Sequence, residues 1–515
     1  MNQIPATAPK IWPPSLAFAR AVVEIAGGAK TFINVGDFYE TADGTDDAPS
    51  IRNAIAYAIT NGIPRVVFSS KIYRLESNVT SASGILCGID ITNTTVMPLL
   101  ILEGYGATLY KHGTDYGAII HLQVQGGQVE ILGFHFERNH LDLPNEVAVG
   151  LLVEPVATAP DVKQLIVEDC KFTDCHKPIH ITGASFLFQY GKLAAVSINR
   201  CIFDFPRGSN MVLTFGGGQT IVCTYWVRDL FITACRFDGA TSGTVVGTTS
   251  LLPVDGFNFS SAINTVVSGC HLSHFDVEGF CFLKQFQFAS TNWPFTIPAI
   301  GVNFTLPFFP THSTAGWQVG DRFKFLVPGV YTFTHELEVV AVLSATSLTA
   351  KLISGTPGII TTERWITHQT FWLNKHSASA TGNVVDKTHV LGVTGFNGAS
   401  PAIQFADVDL VSATSNTLKD CRIGIYARAN STILISGNIM EATGTGIFID
   451  SNCGPSTISA NVIRLMGAVP SSGINTLASG CQITNNRVYM DAAVAGYGSG
   501  VLISDTIGNV MTGKT

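Results

Sequence analysis

A short motif that recurs along the chain constrains the fold more than any other sequence feature. It has an apolar residue three positions before a cysteine and another two positions after it, in IVEDCKF, SINRCIF, FITACRF, VVSGCHL and TLKDCRI. These segments contain Cys170, Cys201, Cys235, Cys270 and Cys421. In ISGNIM, ISANVI, ITNNRV and IGNVM, asparagine takes the same position, at Asn438, Asn461, Asn486 and Asn509. The first four cysteines are 31, 34 and 35 residues apart, and the asparagines are 23, 25 and 23 apart.

Such a period, made of short strands and glycine turns with no helix between them, is typical of coils that stack on one another. Equivalent residues then lie about 4.8 Å apart and form ladders of like side chains. We therefore predict an all-β parallel β-helix. The cysteines are interpreted as small buried residues of its core. Because the sequence has no CxxC pair and no Cys/His cluster with zinc spacing, we expect no metal site and no cofactor.

The composition limits the partners. Charged residues make up 13% of the 515 residues and hydrophobic residues 46%, so much apolar surface must be buried within or between subunits, and we expect an oligomer. The formal charge of -7, without a run of lysine or arginine, argues against a nucleic-acid partner. No run of eighteen apolar residues predicts membrane insertion, and no signal peptide is seen at the start.

Residues 31–75 bring a family resemblance. A strand ending in VGDF, the turn ADG, the helix-capping TDD, a helix from Ile51 to Ile59 and the strand VVF follow one another. This order resembles the opening of the pectate-lyase-like superfamily, whose tail-spike branch includes bacteriophage tail spikes and polysaccharide depolymerases and is related to the polygalacturonases. The resemblance implies a right-handed β-helix with an N-terminal helical cap, a homotrimer, and a place in a phage virion or outside the cell. Asp46 is expected to cap the helix.

The chain divides into four predicted parts. Residues 1–63 form the N-terminal cap with short helices, one of them in SLAFARAVVEIAGG, and residues 64–290 form the first part of the β-helix. Between 291 and 380 the coil motif is absent, and alternating strands predict an inserted small antiparallel β-barrel or sandwich. Residues 381–515 form the C-terminal coils.

Two acidic residues stand in the same sequence context one coil apart. Asp255-Gly256-Phe257 returns 23 residues later as Glu278-Gly279-Phe280. Comparable strand starts are placed at Lys177, Asn210, Thr445, Ser472 and Ser499. Stacking would bring the two carboxylates within about 5 Å, where like charges raise one pKa and create an acid/base pair. Asp276 enlarges the acidic group, and His271, His274 and Asn210 are predicted to contact the substrate.

This arrangement resembles the polygalacturonase pattern, in which an Asp-Gly-apolar strand is followed one coil later by paired acids. It implies hydrolysis of a glycosidic bond in a bacterial surface polysaccharide or another acidic glycan. Three alternatives stay open. The acids could hold Ca²⁺ in a polysaccharide lyase that acts by β-elimination. The chain could be a receptor-binding or structural tail protein without catalysis, and the acids could simply bond turn amides. A second acidic set, Asp174, Asp204 and Asp238, is interpreted as turn-forming.

Overall fold

The computed structural model describes a large part of the chain. The described ranges are 31–38, 45–81, 86–92, 98–111, 117–124, 127–138, 148–155, 162–173, 175, 177–181, 193–204, 219–223, 227–238, 255–260, 263–273, 279–283, 289–290, 294–307, 318–327, 333–344, 347–362, 364–368, 376–386, 401–466, 471–490, 498–503 and 510–512. The helix predicted in SLAFARAVVEIAGG and the position of Asn509 lie outside these ranges.

The chain winds into a right-handed parallel β-helix in which each coil supplies a strand to each of three faces. Face 1 is a 14-stranded parallel sheet. Its strands are Ile33–Asn34, Arg65–Val67, Leu99–Glu103, Gly127–Leu132, Val162–Glu168, Leu193–Asn199, Val227–Thr233, Asn264–Ser268, Ser377–Thr381, Leu410–Thr414, Thr432–Ser436, Ser456–Ser459, Gln482–Thr484 and Val510–Thr512.

Faces 2 and 3 together form a 23-stranded sheet. Face 2 has short strands at Ile72–Arg74, Thr108–Lys111, His135–Arg138, Lys171–Thr173, Ile202–Asp204, Arg236–Asp238, His271–Ser273, Val384–Asp386, Val462–Leu465 and Arg487–Met490. Face 3 has strands at Leu86–Thr92, Gly117–Val124, Ala148–Pro155, Lys177–Ile181, Gln219–Cys223, Asp255–Ser260, Phe280–Leu283, Pro401–Ala406, Ser471–Thr476 and Gly498–Ile503. Thr417–Arg428 and Ile439–Ile449 run through both faces, and Val79–Thr80 pairs antiparallel with Leu86–Thr92.

One buried core runs along the stack of coils. In face 2 the middle residue of each strand points inward, and the aromatic side chains of neighbouring coils stack on one another. The ring centroids of Phe136 and Phe172 are 4.6 Å apart, and those of Phe172 and Phe203 are 5.3 Å apart. Period-two alternation therefore leaves the first and third residues of each face-2 strand on the outside.

The turn from face 1 to face 2 uses one left-handed residue per coil. Its φ lies between +50° and +72° at Gly133, Asp169, Arg200, Ala234, Gly269, Gly382, Ser415, Gly437, Ala460 and Asn485. The next residue is buried and is Cys170, Cys201, Cys235, Cys270, Asn383, Asn416, Asn438, Asn461 or Asn486 on the last nine of these coils. The prediction that cysteine and asparagine share one position is therefore confirmed for these coils.

The asparagines form a hydrogen-bonded ladder. Each Nδ2 donates to the Oδ1 of the next asparagine at 2.8–2.9 Å, from Asn383 through Asn416, Asn438 and Asn461 to Asn486. Each Oδ1 also accepts a hydrogen bond at 2.9–3.0 Å from the backbone N–H of the equivalent turn residue on the preceding coil, so the ladder satisfies buried backbone groups.

Cys421 was predicted to belong to this row, and that prediction is wrong. It pairs with Ala442 within the long strands, and Asn416 holds the turn position on its coil. Asp204 and Asp238 are also not turn residues. They end two face-2 strands and pair in register on adjacent coils; on the coil before Asp204, that position belongs to Thr173. Asp174 lies outside the described residues.

The helix Ala48–Thr60 packs Ile51, Ala54 and Ile55 against the first coils. The N-cap of this helix is Asp47, not Asp46 as expected, and the Asp47 side chain makes no capping hydrogen bond. The Asp46 carboxylate, one residue earlier, accepts a hydrogen bond from the backbone N–H of Ala48 at 3.1 Å. None of the described helical segments has the length and apolar character needed to cross a membrane.

A second, antiparallel sheet interrupts the coils. Its six strands are Ala289–Ser290, Asn303–Pro307, Arg322–Leu326, Phe333–Ser344, Ser347–Ser354 and Trp365–His368, and Phe295–Ile297 pairs with Gly358–Ile360 beside it. It has its own buried cluster, which includes Phe323, Phe325 and Leu337. Ser377–Thr381 already pairs in parallel with Asn264–Ser268, so the coils return a few residues before 381. The domain limits otherwise remain predictions.

Candidate functional site

Two rows of side chains line the outside of face 3. The first outer row contains the residues at the start of each strand, Cys87, Ala118, Val149, Lys177, Gln219, Asp255, Pro401, Ile423, Thr445, Ser472 and Ser499. The second outer row lies three residues later, at Asp90, His121, Leu152, His180, Val222, Asn258, Cys281, Gln404, Tyr426, Phe448, Asn475 and Leu502.

The direction of the first outer row follows from its N-terminal members. Cys87, Ala118 and Val149 pack with Leu152 of the second outer row in a small cluster that is separate from the main core. The two residues between the rows turn inward on most coils; Ile119 and Ile120 are examples from one coil. On these N-terminal coils the first outer row therefore points away from the main core.

Asp255 begins its face-3 strand in the first outer row. It pairs with Gln219 on the preceding coil, and Phe257 two residues later pairs with Phe280 on the following coil. The residue that pairs with Asp255 is therefore Gln219. The prediction placed Asn210, nine residues earlier, at this position. Thr445, Ser472 and Ser499 share the row as predicted.

Most of the other predicted site residues cannot be placed. Glu278, Asp276, His274 and Asn210 lie outside the described residues, as does the side chain of Asp255. His271 is described: it is exposed and opens a face-2 strand, in register with Arg236 and Val384. The structure therefore brings Asp255 into the predicted row but leaves its pairing with Glu278 untested.

A charged group occupies the outside of face 2 on neighbouring coils. Asp204 and Asp238 are adjacent in register, and each has its own cation. Lys171 Nζ lies 3.4 Å from Asp204, and an Arg236 guanidinium nitrogen lies 3.2 Å from Asp238. The Ser273 hydroxyl donates to Asp238 at 3.1 Å. Both carboxylates are held in ion pairs, so this group suits binding or structure.

Aromatic and polar side chains continue the second outer row on the C-terminal coils. The rings of Tyr426 and Phe448 are 5.3 Å apart, and the Tyr426 hydroxyl donates to Asp450 Oδ2 at 3.3 Å. Burial, and next the Asp450 carboxylate, raise the pKa of Tyr426, so its phenol remains a donor at neutral pH. Partly buried rings beside hydrogen-bonding groups suit the apolar faces and hydroxyls of sugars.

At the N-terminal end of the rows, three groups of metal-ligand type come together. One ligand atom from each of Cys87, Asp90 and His121 lies within 4.8 Å of the other two. His121 Nδ1 is 2.8 Å from Asp90 Oδ1. The sequence alone did not reveal this group because His121 follows Asp90 by 31 residues and meets it only through the coil register. The signal was available: 31 is also the spacing of Cys170 and Cys201.

Comparisons with known proteins found one family model and several solved structures that are similar to this chain. A search of curated protein sequences found no match. A family model described as NosD, a periplasmic copper-binding protein, matches residues 364–515. The A-module of mannuronan C-5 epimerase AlgE6 from Azotobacter vinelandii aligns with 94% of this chain and 100% of its own, at 11% identity and a TM-score of 0.47.

Two tailspikes are also similar in structure. Tailspike protein 3 of bacteriophage CBA120 aligns with 93% of this chain and 61% of its own, at 10% identity and a TM-score of 0.40. A mutant tailspike of Escherichia coli bacteriophage HK620, in complex with a pentasaccharide, aligns with 94% and 67%, at 10% identity and a TM-score of 0.43. The fold of this chain is a right-handed parallel β-helix, and the parallel coil register described above carries this conclusion.

Proposed function

We propose that this β-helix binds an acidic polysaccharide, such as a bacterial surface glycan, and hydrolyses its glycosidic bonds with Asp255 and Glu278. The register carries the proposal. Phe280 pairs with Phe257, 23 residues earlier, and Glu278 follows Asp255 by the same 23 residues. Asp255 belongs to the first outer row, whose N-terminal members lie outside the main core.

The chemistry follows from one coil of separation. At about 4.8 Å, two carboxylates cannot both ionise easily, so one holds a proton for the leaving oxygen while the other acts as nucleophile or base. A separation near 5 Å favours retention of configuration, and a longer one leaves room for the water of an inverting reaction. Asp276 is the alternative partner of Asp255, and His271, His274 and Asn210 are proposed to bind the substrate.

The second outer row supplies a path for the glycan. The coil of Tyr426 lies three coils after the coil of Asp255, which is a separation of about 14 Å along the helix axis. A short oligosaccharide has this length. Gln404, Tyr426 and Phe448 then offer one amide and two ring faces on three successive coils. Binding along this row is independent of cleavage, so it also supports a non-catalytic receptor-binding protein.

The test is an assay of the full chain with a panel of acidic polysaccharides, following new reducing ends and the ultraviolet absorbance of unsaturated uronates. Asp255→Asn and Glu278→Gln are each expected to lower the rate at least about 100-fold, because each removes a proton-transfer group. Asp238→Asn is the matched control. It makes the same change on the same coil, in the ion-paired group of face 2, and is expected to retain activity.

Each other outcome identifies a different function or site. Loss of activity in Asp238→Asn but not in Asp255→Asn would move the acid pair to face 2. Reducing ends with absorbance would indicate a lyase, with Ca²⁺ as its candidate metal. Binding without cleavage across the panel would indicate a receptor-binding or structural tail protein. We further propose a homotrimer in a phage tail or outside the cell, which the molar mass from light scattering would test.

A further inference from the structure

We propose that Cys87, Asp90 and His121 form a binding site for a divalent transition-metal ion, Zn²⁺ in the first place, outside the main core at the N-terminal end of face 3. The three residues provide a thiol sulfur, a carboxylate oxygen and an imidazole nitrogen, all within 4.8 Å of one another. These are the three ligand types that zinc takes in proteins, at about 2.0–2.3 Å each.

The coil register places the ligands. Asp90 and His121 are partners on adjacent strands, and Cys87 starts the strand that holds Asp90. Asp90 Oδ1 and His121 Nδ1 are already 2.8 Å apart. An ion bound between them requires a separation of about 3.3 Å, which small side-chain rotations supply. Asp90 and His121 lie on paired strands, so ion binding requires little rearrangement of the backbone.

The surroundings of the three ligands differ from those of a solvated surface cluster. Cys87 and His121 have no exposed surface, and Ala118, Val149 and Leu152 pack around them. The Asp90 side chain is 21% exposed, which gives an ion a route in and leaves a position for water. Full burial of the thiol and the imidazole excludes an approaching organic substrate, so this group allows ion binding rather than nucleophilic attack by Cys87.

The charges balance when the ion is bound. Thiolate and carboxylate together carry two negative charges, which a divalent ion neutralises, so little net charge is buried. A thiol buried among apolar side chains, as Cys87 is, carries its proton in the absence of metal. Binding therefore replaces the thiol proton, which passes to the solvent, and the oxidation states of sulfur and metal do not change.

The site is distinct from the proposed acid pair. Asp90 and Asn258 belong to the same outer row, but five coil steps, about 24 Å, separate them. The calcium alternative for the acids near Asp255 would use oxygen ligands alone, whereas a thiol and an imidazole favour zinc or cobalt. The proposal therefore stands whether or not the chain cleaves a glycan.

Metal binding by the full chain tests the proposal. The protein is stripped of metal with a chelator, dialysed and titrated with Zn²⁺ alone. Bound zinc is then measured by inductively coupled plasma mass spectrometry. One ion per chain is expected. With Co²⁺ alone, the absorbance of a cobalt–thiolate bond and the ligand-field bands of a four-coordinate ion are expected, and both report coordination without any activity.

Cys87→Ser, His121→Gln and Asp90→Asn are each expected to weaken binding at least about 10-fold and to remove the increase in melting temperature that Zn²⁺ gives the unmodified chain. Cys170→Ser, in the internal thiol row, and His180→Gln, two coils farther along the same outer row, are the matched controls and should bind as before. Asp90→Asn keeps the size of a partly exposed residue, so it remains informative if the buried variants fail to fold. Absence of stoichiometric Zn²⁺ and Co²⁺ binding, or equal binding in Asp90→Asn, would overturn the proposal.

Discussion

At the residue scale, Asn438 shows how the coils are held together. Its Nδ2 donates to Ala413 O and to Asn461 Oδ1, both at 2.9 Å, and its Oδ1 accepts from the backbone and side-chain amides of Asn416, both at 2.9 Å. The side chain is fully buried. A change at this position therefore leaves polar groups without partners on the coils before and after it.

Asn438→Ala is expected to lower the free energy of unfolding by about 2–4 kcal/mol, because several buried amide groups lose their partners together. Urea unfolding followed by circular dichroism measures the change. The control is Asn61→Ala at the exposed end of the helix, where the loss should stay below about 1 kcal/mol. Equal losses in the two variants would mean that the ladder is not a source of stability.

His135 gives the account a pH dependence. Burial lowers its pKa below the ordinary 6.5, against the opposing charge of Glu137. The unfolded chain then binds a proton more readily than the folded chain, so the free energy of unfolding falls as the pH drops below about 6.5. His135→Gln should reduce this fall, measured by urea unfolding at neutral and at mildly acidic pH. An unchanged fall would show that His135 titrates alike in both states.

At the element scale, the turn from face 1 to face 2 matters most, because it sets the direction of every face-2 strand. It requires a left-handed residue on each coil, which glycine adopts at little cost and alanine does not. Ala234 and Gly269 hold this position on neighbouring coils, with φ of +53° and +62°.

Ala234→Gly is therefore expected to leave stability unchanged or raise it slightly, and Gly269→Ala is expected to lower it by about 1 kcal/mol. No atom lies within 4 Å of a Cβ added at Gly269, so the effect comes from the backbone alone. Thermal unfolding of both variants beside the unmodified chain measures the difference. A destabilised Ala234→Gly together with a neutral Gly269→Ala would contradict the role assigned to the turn.

At the scale of the whole molecule, the repeat predicted the fold because stacking imposes like residues at like positions. The repeat also gave a wrong position for Cys421, because its surroundings match the apolar-Cys-apolar pattern by chance. Asn383 and Asn416 hold the turn position instead, and the pattern did not identify them. Period alone also could not align face 3. Loops of unequal length precede its strands, so Gln219, not Asn210, pairs with Asp255. The Cys87–Asp90–His121 group was missed because register, rather than spacing in sequence, brings it together.

The central claim is that the coil register places Asp255 and Glu278 side by side in the first outer row. Oxidative cross-linking of the double variant Asp255→Cys, Glu278→Cys, read by mass spectrometry of non-reduced peptides, tests it most directly. In-register neighbours have Cα atoms about 5 Å apart, within the range of a disulfide. Thr445→Cys with Ser472→Cys, a described pair in the same row with hydroxyls 3.5 Å apart, is the positive control. The account predicts a disulfide in both double variants; a cross-link in the control pair and none between positions 255 and 278 would contradict it.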